Sequence, residues 1–152
     1  MKIAIVSDTH NNWKNYEKIL NWLEGEGIQQ ILHCGDISSQ EIIDNAQKKF
    51  QGDIKYVKGN ADHGLEIPPT MELEIGGKKI GFAHFPNLAL KLAESGKNDI
   101  VFYGHTHRPW EEKKGNCRFI NPGEVAGQFF KPTFAMYDTE TDKLELKILE
   151  KL

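Results

Sequence analysis

The chain is short of several things that would point elsewhere. It has only two cysteines in 152 residues, Cys34 and Cys117. They form no C-x-x-C pair, which excludes a disulfide framework and leads us to expect a reduced, cytoplasmic setting. No apolar run approaches the length of a membrane span, and the apolar stretch behind Lys2 is too short for a signal-peptide core. Positive charge is not in excess: 19 Lys and Arg stand against 22 Asp and Glu, a formal net charge of −3. No electrostatic footprint for nucleic acid is therefore expected. Repeats, low-complexity tracts and long linkers are also lacking. With 39% hydrophobic and 27% charged residues, the composition is that of an ordinary globular protein, and one domain over 1–152 is expected.

What the chain does have is a regular alternation of strand and helix signals. "KIAIVSD" (2–8) is a short, nearly continuous apolar run, as in a strand covered on both faces. Residues 13–27 carry Trp13, Tyr16, Ile19, Leu20 and Leu23 at helical spacing and stop at glycines. A second strand follows over 28–36. A helix over 38–50 comes next, opened by a Ser cap with Glu41 behind it, and then a third strand over 53–60. This βαβαβ order predicts a parallel sheet with right-handed crossovers. Further on, 71–85 predicts two strands around a Gly-Gly turn, 87–96 a short helix and 99–107 another strand. The segments 110–124 and 133–152 predict hairpins, the second turning at "DTETDK". The expected architecture is an α/β sandwich of two mixed sheets.

The polar residues collect where the strands end. The first strand ends in Asp8 and His10, the second in Gly35-Asp36 and the third in Gly59-Asn60. The next ends in His84, and the last in "GHTH", with His105 and His107. In α/β sheets, residues beyond the carboxyl ends of parallel strands line the ligand crevice. Each piece alone has an ordinary explanation: Asp-x-His is a common cap or turn, Gly-Asp and Gly-Asn are turn dipeptides, and a lone strand His is usually structural. Together they are harder to explain that way, because turn chemistry does not also place four of the six histidines at strand ends. Imidazole with carboxylate suits Zn, Mn, Fe, Co or Ni. Seven ligands are too many for one tetrahedral site and suit two ions sharing a carboxylate.

The order Asp-x-His, Gly-Asp, Gly-Asn, His, Gly-His-x-His, followed by Asn121-Pro122-Gly123, resembles the calcineurin-like metallophosphoesterase superfamily, in its small phosphodiesterase branch. The resemblance spans nearly the whole chain. It implies a four-layer α-β-β-α sandwich and two divalent ions, manganese foremost. Asp8, His10 and His107 would hold one ion and Asn60, His84 and His105 the other, with Asp36 bridging. It places Asp36, Asn60 and Asp62 in the catalytic group. It also implies hydrolysis of a small phosphodiester or nucleotide-like substrate by a metal-bridging hydroxide, the ions lying roughly 3.5–4 Å apart.

Three departures bear on the substrate. Ala61 stands where many members of the superfamily have a histidine that helps protonate the leaving group, so easily expelled groups are favoured. His63 nearby reads as a surface residue. Phe85-Pro86 follow His84 where the branch often has a second histidine, which makes that wall apolar. Glu124 follows Asn-Pro-Gly in place of a small polar residue and would repel phosphate if it faced the site. Arg108, Lys131, Asn12 and the side-chain NH₂ of Asn60 are the candidate phosphate contacts, although Lys131 reads as a solvated cation and Asn12 as a helix cap. Trp13, Trp22 and Phe129-Phe130 could mark the surface of a dimer or tetramer, with core packing the alternative. The rival function is a non-catalytic, metal-binding interaction scaffold of the same fold. The superfamily contains such a case in the retromer scaffold subunit.

Overall fold

The computed structural model describes residues 1–152. The chain opens with β1 (Lys2–Val6), α1 (Trp13–Gly25), β2 (Gln30–His33), α2 (Gln40–Lys49) and β3 (Asp53–Tyr56). Then come β4 (Thr70–Ile75), β5 (Lys78–Ala83), α3 (Pro86–Glu94), β6 (Ile100–Phe102), β7 (Trp110–Lys114), β8 (Cys117–Asn121), β9 (Thr133–Asp138) and β10 (Lys143–Ile148). A final 3₁₀ turn covers Leu149–Lys151. Every element expected from the sequence is present. The strands that carry ligand residues stop short of them: β1 ends at Val6, two residues before Asp8, and β6 ends at Phe102, three before His105. The polar residues leave the sheet because their side chains and backbone are used in the loops beyond it.

Two five-stranded mixed sheets form, in the orders β10-β9-β1-β2-β3 and β4-β5-β6-β8-β7. The first has the parallel set β1, β2 and β3, extended by β9, antiparallel to β1, and by β10, antiparallel to β9. The second has the parallel set β5, β6 and β8, flanked by antiparallel β4 and β7. The period-two alternation within β1 assigns each residue to a layer. Ile3 and Ile5 meet Leu32, Phe82, Phe102 and Ile120 between the sheets. Ala4 and Val6 point the other way, toward Tyr16, Ile19 and Leu23 of α1 and Ile42 and Ala46 of α2. On the far side, α3 lays Ala89 and Ala93 against Ala83, Val101 and Phe119. The result is a four-layer α-β-β-α sandwich.

The helices begin where capping chemistry dictates. Asn12 accepts the Asn15 N–H at the start of α1, and Ser39 accepts the Ile42 N–H at the start of α2. Pro86 opens α3, where its missing N–H costs nothing. Trp13 and Trp22 pack against the helix-side core, whereas Phe129 and Phe130 are exposed. No helix is long and apolar enough to cross a membrane.

Candidate metal centre

The carboxyl ends of both parallel strand sets open on the same side. Loops after β1, β2 and β3 bring Asp8, His10, Asp36 and Asn60, and loops after β5 and β6 bring His84, His105 and His107. The backbone there is unusual. Asp8, His10, Asp36, His105 and His107 all have positive φ, between 45° and 72°, a region costly for residues with a Cβ. Such strain persists where surrounding contacts hold it. Two glycines make the crowding possible. A Cβ on Gly59 would collide with the Asp36 carboxylate, and one on Gly104 with Ser7 and with Oδ2 of Asp8. The Gly-Asn and Gly-His pairs therefore serve close approach as well as turning.

The donor atoms form two touching groups. In the first, Oδ1 of Asp8 lies 3.4 Å from Nε2 of His10 and 3.3 Å from Nε2 of His107. Those two ring nitrogens are 3.2 Å apart. In the second, Nε2 of His84 lies 3.3 Å from Oδ2 of Asp36, 3.0 Å from Oδ1 of Asn60 and 3.3 Å from Nδ1 of His105. Asp36 joins the groups, since its Oδ2 is 3.3 Å from Nε2 of both His10 and His84. Asp8, Asp36 and His84 also lie within 4.8 Å of one another.

The polarity of these contacts fits a cation. His84 donates Nδ1–H to the Cys34 carbonyl at 2.9 Å, so its Nε2 presents a lone pair to Asp36 and Asn60, which are themselves acceptors. Oδ1 of Asp8 is buried and has no hydrogen-bond donor. An anionic oxygen sealed from water is costly unless a positive charge answers it. Donors spaced about 3.0–3.4 Å apart are what bonds of about 2.0–2.2 Å to one ion produce. Without metal, protons feel the same field. Its contact with the Asp8 carboxylate raises the His10 pKa above the usual histidine value. Burial alone would lower that of His84, but the Asp36 carboxylate and the charge of Asp8 outweigh it and the net shift is upward. Burial likewise works against the Asp36 carboxylate, yet His84 and the Ala61 N–H bring its pKa below the ordinary value.

Supporting residues hold the ligands from behind. Oδ2 of Asp8 accepts the Ser7 hydroxyl and the His105 N–H. Oδ1 of Asp36 accepts the Ala61 N–H at 2.8 Å. Asn121, the buried last residue of β8, donates to the Gly104 carbonyl and to the Thr106 hydroxyl, and so ties down the Gly-His-Thr-His loop. Asp62 lies behind the cleft, with its carboxylate oxygens taken up by the N–H groups of Asp36, Ser38 and Gly59. His33 is buried between Thr9 and Gly35: its Nδ1 accepts the Gly35 N–H, and its Nε2 meets the Thr9 hydroxyl at 2.8 Å. Within the apolar run "ILHC" nothing in the sequence marks this histidine as part of the site's foundation.

The expected substrate contacts fare unevenly. Asn12 is engaged by the α1 cap and by the Ala126 carbonyl. Arg108 lays its guanidinium over Trp110, 4.5 Å from the ring centroid, and Lys131 pairs with Glu150. His63 is exposed. Phe85 forms an apolar wall as expected, its ring 5.0 Å from His84 and 5.2 Å from His105. The expectation that Glu124 would repel phosphate is corrected. Its side chain is fully buried, accepts the N–H groups of Gln128, Phe129 and Phe130, and lies beside His107.

A four-layer sandwich with a histidine–carboxylate–amide cluster across its strand ends defines a metallophosphoesterase-type protein. The chain belongs to the calcineurin-like phosphoesterase superfamily, whose domain matches residues 1–142, a family that uses divalent metals. It is 30% identical to phosphodiesterase MJ0936 of Methanocaldococcus jannaschii, over 99% of this chain and all of that one. A solved archaeal phosphodiesterase superposes with a TM-score of 0.86 at 28% identity, covering 97% of this chain and 99% of the other. The vacuolar protein sorting-associated protein 29 of Schizosaccharomyces pombe is 28% identical over 84% of this chain and 73% of that one.

Proposed function

We propose that the chain is a phosphodiesterase that works with two divalent ions, manganese foremost, on a small phosphodiester of nucleotide-like size. One observation carries this reading: Oδ2 of Asp36 lies 3.3 Å from a histidine of each donor group, the place of a bridging carboxylate. Asp8, His10 and His107 would hold one ion, and Asn60, His84 and His105 the other. Two divalent ions bound there supply Lewis acidity to phosphoryl oxygens and make water a nucleophile near neutral pH.

The chain's own groups do the rest. Asn60 turns its amide oxygen to His84 and His105, at 3.0 and 3.1 Å, and adds no negative charge against a phosphate. Its exposed NH₂ is then free to donate to a non-bridging phosphate oxygen. The Ala61 N–H and the strained loop hold Asp36 in a single orientation, so little reorganisation is needed as charge develops. No acid stands at Ala61, so leaving groups that depart as stable anions are preferred. A cytoplasmic setting agrees with two free, buried cysteines.

The rival scaffold reading is favoured by the engagement of Arg108 and Lys131 elsewhere, which leaves the cleft without an obvious phosphate-binding cation. The two readings separate on the purified protein. Metal content and turnover of bis-p-nitrophenyl phosphate with added Mn²⁺ or Ni²⁺ are measured for wild type and Asp36→Ala. Turnover that Asp36→Ala abolishes together with bound metal supports the enzyme. No turnover with any metal, and an unchanged metal content in Asp36→Ala, would sink it.

A further inference from the structure

Glu124 is not one of the seven donor residues, yet it is as completely enclosed as Asp8 and Asp62 beside them. Its side chain has no exposure to solvent. Oε1 accepts the Gln128 N–H at 2.5 Å, and Oε2 accepts those of Phe129 and Phe130 at 2.8 and 3.0 Å. The remaining direction of Oε1 faces Nδ1 of His107, 3.2 Å away. That Nδ1 is buried and has no hydrogen-bond partner, Oε1 included, so the pair is a close contact and not a hydrogen bond as it stands. The opposite nitrogen, Nε2, points at Oδ1 of Asp8 and Nε2 of His10.

We infer that Glu124 is a positioning residue for His107: it keeps the imidazole proton on Nδ1 and the ring turned so that the Nε2 lone pair faces the ion shared with Asp8 and His10. The inference rests on the metal reading above. Three facts support it. Three backbone N–H groups fix the carboxyl group in one orientation, with Oε1 turned to the imidazole 3.2 Å away. A carboxylate behind a ligating histidine holds its tautomer and raises its basicity. The same carboxylate anchors the turn that sets the Phe129 ring 5.1 Å from the His107 ring, which further limits ring rotation.

The substitution Glu124→Gln separates these roles. An amide can keep the Phe129 and Phe130 N–H groups on its oxygen only by turning its NH₂ toward Nδ1, at the cost of the Gln128 N–H bond. That favours the proton on Nε2, the wrong tautomer for a ligand. Gly127→Ala is the control for the turn: Gly127 has φ of 73°, and a Cβ there would meet Pro132. It strains the turn while leaving the carboxyl group of Glu124 chemically unchanged.

Zn²⁺ or Mn²⁺ binding is measured by equilibrium dialysis with elemental analysis. The Nδ1–H of His107 is followed by ¹⁵N NMR in the zinc-loaded protein. Glu124→Gln is expected to weaken one of two ions by about ten- to a hundredfold, to leave the other unchanged and to lose the Nδ1–H signal. Gly127→Ala is expected to keep both ions and the signal. Two ions held by Glu124→Gln with wild-type affinity and an intact Nδ1–H overturn the inference, and so does equal loss from Gly127→Ala. A wild-type protein that binds no metal overturns the function proposed above and this inference with it.

Discussion

Asp62 stands directly behind Asp36, accepting its backbone N–H at 2.9 Å through Oδ2 while the same oxygen takes the Gly59 N–H at 2.8 Å. Its other oxygen takes the Ser38 N–H at 2.8 Å. One buried carboxylate thus clamps the loops that deliver Asp36 and Asn60 into a single unit. Its part in the candidate site is to set where Asp36 sits.

Asp62→Asn leaves the shape intact but turns an NH₂ toward at least one backbone N–H. A loss of about 2–4 kcal/mol is expected, since hydrogen bonds to a charged group are among the stronger ones and a buried unpaired donor adds its own cost. Urea unfolding of the chelator-treated protein checks this. A change below about 0.5 kcal/mol would show that the clamp contributes little.

His33 is expected to weaken the fold in acid. Burial pushes its pKa down from 6.5 to about 4, so the folded state binds its proton less readily than the unfolded chain. Its contribution is complete above pH 6.5 and is lost as the pH falls toward 4, on the order of 3 kcal/mol in all. The raised pKa values of His10 and His84 act in the opposite sense. The test is therefore the difference between wild type and His33→Gln in denaturant midpoints at several pH values. That difference should shrink on acidification between pH 7 and 4; a constant difference would refute the assignment.

The positive φ of His105, 72°, makes a counterintuitive order of stabilities. His105 is exposed, so removing its side chain costs little packing. In the ion-free protein, His105→Gly should be more stable than His105→Ala by about 1 kcal/mol, because only glycine takes this backbone without strain. Both variants should lose metal. Thermal melts in chelator give the order directly, and alanine above glycine would contradict the strain.

The vacancy at Ala61 predicts a strong dependence on the leaving group. Hydrolysis should fall by about a hundredfold or more from p-nitrophenyl to simple alkyl esters, the range a missing general acid accounts for. Ala61→His should recover part of that loss for the alkyl ester while changing the aryl rate little. Steady-state kcat/KM for matched aryl and alkyl diesters decides it, and equal gains for both would argue against proton donation.

Much of this architecture is legible in the sequence. The βαβαβ alternation, the Gly76-Gly77 hairpin and the capped starts of α1 and α2 are local signals, and the structure follows them closely. The seven donor residues are legible because each sits just beyond a strand, and parallel strands of a sheet end on one side by topology alone. Glu124 is different. Its place after Asn-Pro-Gly leaves open whether it faces the cleft, and the turn over 126–130 folds back and buries it against His107. The roles of His33 and Asp62 are hidden for a similar reason, since they depend on backbone N–H groups from distant loops.

The sequence by itself therefore determined which residue types arrive at the strand ends and in what order, because strand, turn and helix chemistry acts over a few neighbours. Only the tertiary structure decided which carboxylates face the cleft and which stand behind it. That choice depends on how two separately formed sheets pack, on the close approaches that Gly59 and Gly104 permit, and on unpaired N–H groups that no local rule assigns to a partner.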